Sequence, residues 1–278
     1  MVSIQPPAAA RIRLLTAVRL VALGLAAVLL GGVVGCASIT QIQPGGLADA
    51  EQIAATCPAG HLIAARAAID VGANLRAVAG EAGRLDPVRK LVRLTEICGG
   101  HLRVDAFAGS AGSTAAVYDG DLALGGATQN ARLRREPRQS DEVMAAIMKN
   151  LPIAAAKLPP EGSDIITQLG TMAAEYGQGL DPAGSRYVLH EVITTDGVQT
   201  ERVPLTDPSL TVARAEVLAA GVAMPSLAGA DVQLTSIGKT AGPAPATSYS
   251  DALKAFYRKL CDAARAARCV VVTDGAGR

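Results

Sequence analysis

The sequence predicts an α/β fold: a doubly wound, mainly parallel sheet with helices on both faces and one antiparallel edge strand. Two observations carry that expectation. Strand-length apolar runs alternate with helix-length stretches along residues 57–278, the segment expected to form the domain. Those runs are apolar nearly throughout, as strands covered on both faces must be. The 29 Gly and 15 Pro punctuate many short connections, which suits alternating elements better than a few long helices.

Element by element, residues 62–69 read as the first strand, followed by a helix-like stretch with Leu75, Val78 and Ala82. Asp86-Pro87 reads as an N-cap with proline at the first helical position, opening a helix to about Ile97 that Gly99-Gly100 stops. Residues 102–108 form the next strand, with Leu102, Val104, Ala106 and Ala108 on one face and His101, Arg103, Asp105 and Phe107 on the other. Asp119-Gly120, between two short apolar runs, is expected to make a hairpin or edge-strand turn. The basic run around Arg132, Arg134, Arg135 and Arg138 is short and contains Pro137, so it is read as a solvated loop.

A helix over about 140–150 follows, and Ser163 or Asp164 starts another that ends near Gly177. Residues 186–195 are the strongest strand. Asp207-Pro208 opens a helix to Ala220, residues 232–237 are a strand, and Ser250 caps a helix whose Leu253, Phe256, Leu260 and Ala264 face the core. Residues 269–273 close the pattern as a short strand. Right-handed crossovers make such a sheet doubly wound, and its ligands bind beyond the carboxyl ends of the strands.

The chain opens differently. Arg11, Arg13 and Arg19 precede an apolar run over 20–34, shorter than the ~20 residues that span a bilayer and fitting a signal peptide. It ends in Val33-Val34-Gly35-Cys36, which resembles the lipobox of bacterial lipoproteins. That resemblance implies a signal peptide over 1–35, an acylated Cys36, and a tether over 36–56. The domain is then expected on the extracytoplasmic face of a bacterial membrane, held by lipid. An exported compartment permits disulfides, and Cys57, Cys98, Cys261 and Cys269 leave three pairings. Cys57 with Cys98 and Cys261 with Cys269 is favoured, since each pair flanks one helix–strand unit. No C-x-x-C or Cys/His spacing supports zinc, and His61, His101 and His190 sit in strand-like runs as structural residues.

Composition limits function. With 26 basic against 25 acidic residues, no Trp and 2 Phe, nothing drives nucleic-acid binding or base stacking. Gly238-Lys239-Thr240 lacks the earlier glycine of a phosphate loop, and no H-E-x-x-H occurs. The chemistry-bearing residues stand at the strand ends: Asp70, Gly72 and Asn74 after the first strand, Ser163-Asp164 at a helix start, and Thr195-Asp196-Gly197 after the strongest strand.

These three loops resemble the metal-ion-dependent adhesion site of von Willebrand factor type A domains, and the likeness in element order extends over residues 60–274. Asp70 matches the first aspartate of the family's D-x-S-x-S, Gly72 and Asn74 replace its two serines, Ser163 matches the middle-loop threonine, and Asp196 matches the late aspartate. The resemblance implies a Rossmann-like fold and a degenerate metal site. There Asp70, Asn74, Ser163 and Asp196 hold Mg²⁺ or another divalent cation, and a protein partner docks on the surrounding loops. A binding module of this kind is not an enzyme. The rival expectations are an extracytoplasmic metal-assisted hydrolase using Asp70 and Asp196, and a purely structural envelope lipoprotein.

Overall fold

The structure, a computed structural model, describes residues 46–72, 75–110 and 112–274. The segment read as signal peptide and lipid anchor with Cys36, the first residues of the expected tether, and Asn74 lie outside the described residues. Strands β1 (Leu62–Asp70), β2 (Gly100–Phe107), β3 (Thr114–Leu122), β4 (Tyr187–Thr194), β5 (Asp231–Thr235) and β6 (Arg268–Val271) form one sheet in the order β3-β2-β1-β4-β5-β6. Every pair is parallel except β2–β3, which is antiparallel with a register shift between Val104 and Asp105. The fold is the α/β, mainly parallel, doubly wound sheet with an antiparallel edge that the alternation predicts.

Two cores explain why helices coat both faces. On one face Ile63, Ala65, Ala67, Leu102 and Val104 pack against α2 (Ala82–Cys98), through Val88 and Val92, and α4 (Glu136–Ala155), through Met144 and Ile147. On the other, Ala68, Phe107, Ile193 and Leu234 meet Ile165, Leu169, Phe256 and Leu260. The latter pair belongs to α8 (Thr247–Ala264), which lies beside α7 (Val212–Ala220). The predicted stripe of Leu253, Phe256, Leu260 and Ala264 is fully buried. The favoured disulfides are both present, Cys57–Cys98 and Cys261–Cys269.

Several boundaries differ from the sequence reading, each for a packing reason. Residues 47–55, read as tether, form α1 (Leu47–Ala55), whose Ala50 shares a small core with Leu124 and with Leu133 of α3 (Gln129–Leu133). The basic run is accordingly helical, spanning α3 and the start of α4, with exposed arginines. Asp119-Gly120 is no turn: β3 runs straight through it, paired to Arg103 and Leu102, and the reversal lies earlier, between Phe107 and Thr114. α2 begins at Ala82, so Pro87 sits inside it, because the extra turn buries Arg84 and Leu85. Likewise α7 starts at its Thr211 cap rather than at Asp207, and Ser250 lies inside α8.

Candidate functional site at the switch between β1 and β4

The chain builds β1, β2 and β3 outward on one side, then returns to lay β4 on the other side of β1. Connections leave in opposite directions there, opening a crevice beyond the strand ends where α/β sheets bind ligands. Register fixes what meets in it: Ile69 pairs with Thr194, so Asp70 and Thr195 emerge side by side. Asp70 is wholly buried. Its Oδ2 accepts the Thr195 hydroxyl at 2.7 Å, and its Oδ1 accepts the Ser163 hydroxyl at 2.8 Å and the Gly72 amide at 2.9 Å. Asp196, one residue beyond Thr195, anchors its own loop by accepting the Val198 amide at 2.9 Å.

Ser163 arrives on the loop before α5 (Ile165–Thr167), where Asp164 caps the helix by accepting from the Thr167 amide at 3.2 Å and hydroxyl at 2.7 Å. Gln199 locks this loop to the β4 loop: its Oε1 accepts the amides of Ile165 and Ile166, and its Nε2 donates to Asp164. Of the residues singled out in the sequence, Asp70 and Ser163 are hydrogen-bonded to one another and Asp196 acts on Asp70 through its charge, while Asn74 lies outside the described residues. Sequence reasoning missed Thr195 as an Asp70 partner, although Thr195 stands directly before Asp196, and it missed Gln199 and Arg84.

Gly72 has a reason to lack a side chain. A Cβ there would stand 2.3 Å from the Gly162 carbonyl oxygen and 2.7 Å from Ser163 Oγ. The Gly162–Ser163 backbone fills the room a second-position serine would need.

Two carboxylates in one buried crevice are electrostatically expensive. Burial, and next the Asp196 charge, push Asp70 up to about 7 against the pull of its three donors. Burial also raises Asp196, which Val198 and then Arg84 pull back down. Arg84, 4% exposed in the first turn of α2, answers that charge from across the crevice. The donor set is all oxygen, which suits a hard cation that keeps several waters and takes one or two carboxylates. Asp70 Oδ1 and Ser163 Oγ, 2.8 Å apart, have about the spacing of neighbouring oxygens around an ion with ~2.1 Å bonds. Among the described residues no group of three His, Cys, Asp or Glu is placed to hold a metal, so a cation here would need hydroxyl, carbonyl or water oxygens beside the carboxylates, and Ser163 Oγ is one such oxygen at hand.

A second charged cluster lies mid-sheet, on the face that carries α6 (Ala173–Leu180). Arg66, 1% exposed, donates to Glu191 at 2.7 Å and to the Gln168 side chain at 2.6 Å, with Asp105 3.6 Å away. Burial raises Glu191 to about 7 although Arg66 pulls it down. Gln168 opens a π-helical turn, Gln168–Met172, between α5 and α6. A cavity of about 410 Å³ adjoins the cluster, lined by Arg66, Asp105, His101, Asp119 and Tyr176 among others.

Compared with known families and curated proteins, the chain matches no family model and no curated sequence.

Proposed function

We propose that the chain is a lipid-anchored, extracytoplasmic binding module of the von Willebrand type A kind, whose β1/β4 crevice takes a divalent cation and docks a protein partner. The convergence of Asp70, Ser163, Thr195 and Asp196 at the switch point carries this reading. Burial raises both carboxylates, and the Asp196 charge raises Asp70 further, so a shared cation would lower their energy; Asp70, Ser163 and Asp196, with Asn74 as the sequence resemblance implies, would hold it. The cation would supply an open coordination position for a partner's carboxylate, and the loops around it would set partner choice. Two disulfides agree with an oxidising compartment, as the Cys36 lipobox implies. No described helix is long and apolar enough to cross a membrane; the anchor of this proposal is the lipid on Cys36.

The test is affinity capture from membranes with and without EDTA, comparing the wild type with Asp70→Ala, alongside calorimetric titration with Mg²⁺ and Mn²⁺. The proposal expects metal binding and a captured partner that both EDTA and Asp70→Ala remove. Identical titrations for wild type and Asp70→Ala would show the cation half to be wrong. Metal-dependent turnover of a generic phosphoester, lost in Asp196→Ala, would replace the binding module with the hydrolase.

A further inference from the structure

We propose that Arg84 is the resident counter-cation of the β1/β4 crevice, and that a divalent ion gains Asp70 and Asp196 only by moving the Arg84 guanidinium aside. The inference rests on reading that crevice as a cation site and goes on to say what governs its loading.

Its basis is the placement of one buried side chain. Arg84 leaves the first turn of α2, on the β1 side, and its Nη1 donates to the Lys239 carbonyl at 3.1 Å in the loop after β5. That loop is joined to the β4 loop, because the Gly238 amide donates to the Asp196 carbonyl at 2.8 Å. The guanidinium thus bridges the crevice from α2 to the loops that carry Asp196. Its other edge is unspent: Nε and Nη2 are both buried and have no hydrogen-bond partner among the described residues. Those two nitrogens form the side-on fork that matches a carboxylate. A buried cation with two idle donors is costly unless anions lie close by. The anions acting on it are Asp70, Asp196 and Glu81, and the first two are the crevice pair.

Charge neutrality makes the consequence specific. With Arg84 in place the pair already has one compensating positive charge, and an entering divalent ion meets that charge as a repulsion. With Arg84 swung out, the two carboxylates and the ion balance. A unit charge held near a divalent ion in a partly buried crevice weakens its binding by at least ~10-fold.

The experiment titrates Mn²⁺ into the full chain in detergent micelles and into Arg84→Met and Arg84→Lys, with free Mn²⁺ read by electron paramagnetic resonance. Arg84→Met keeps the apolar stem and removes the charge, so it should bind Mn²⁺ at least ~10-fold more tightly than wild type, while Arg84→Lys should stay close to wild type. A second readout needs no variant to fold: the Arg84 Nε–H resonance of wild type should shift as Mg²⁺ is added. Wild-type binding that Asp70→Ala abolishes, together with an unmoved Arg84 resonance or an unchanged affinity in Arg84→Met, would overturn the counter-cation and leave the cation site standing. Binding by neither wild type nor Arg84→Met would overturn both.

Discussion

Asp70 ends a strand wholly buried from solvent, so each of its three donors carries part of the cost of its charge. Thr195→Val removes the Oδ2 donor and the acceptor for the Gly197 amide. The expected loss is about 1–3 kcal/mol, measured by urea unfolding at neutral pH. Gly72→Ser, which would restore the adhesion-site pattern on paper, is expected to destabilise rather than to create a ligand, because its Cβ would overlap the Gly162 carbonyl. Thermal unfolding with and without Mg²⁺ checks both halves of that expectation. Burial also fixes a pH dependence. Glu96 and Glu191 are each raised from 4.5 to about 7, mainly by burial. A group whose folded pKa lies above its unfolded value contributes stability that is full below the unfolded pKa and lost as pH rises through the folded one. Stability should therefore fall as pH climbs from about 5 to 8. Glu96→Gln, which keeps a partner for Ser140, should flatten that slope in denaturation curves taken across the range.

At the scale of elements, local signals were read well where a side chain satisfies its own backbone and poorly where burial decides. Asp164 caps α5 as its position before an apolar run implies, and it also receives Gln199, so it ties two loops together. Asp164→Ala should cost about 1–2 kcal/mol. It should also speed hydrogen exchange at Ile165 and Ile166, whose amides bond to Gln199. Pro87 misled the reading of α2. Proline costs nothing at the first helical position, but winding the chain back to Ala82 buries Leu85 at 3% exposure and sets Arg84 over the crevice. Ser250 misled in the same way, since starting α8 at Thr247 buries Tyr249, whose hydroxyl donates to the Leu205 carbonyl. The π-helical turn at Gln168–Met172 left no local trace. It places the Gln168 carbonyl and side chain together on Arg66, a partner more than a hundred residues away in sequence.

For the whole molecule, the two disulfides act on very different loops. Cys57–Cys98 closes 41 residues and joins the segment after α1 to the end of α2, whereas Cys261–Cys269 closes 8 and fastens α8 to β6. Loop-closure entropy gives about 4 kcal/mol for the first and about 2.5 kcal/mol for the second. Replacing Cys57 and Cys98 by Ser should lower the unfolding midpoint more than replacing Cys261 and Cys269, by the difference between two denaturant titrations. Alternation and apolarity determined the layered α/β fold, and the spacing of cysteines along helix–strand units anticipated their pairing, because these properties repeat over short stretches of chain. The three acidic and hydroxyl loops were also legible, since strand ends announce themselves. Only the tertiary structure decided that β1 lies beside β4, that Thr195 serves Asp70, and that Arg84 feels the charges of Asp70 and Asp196. Those relations join residues from 14 to 125 positions apart, and nothing in the local pattern of a chain records which distant side chains its packing will bring into one another's electrostatic field.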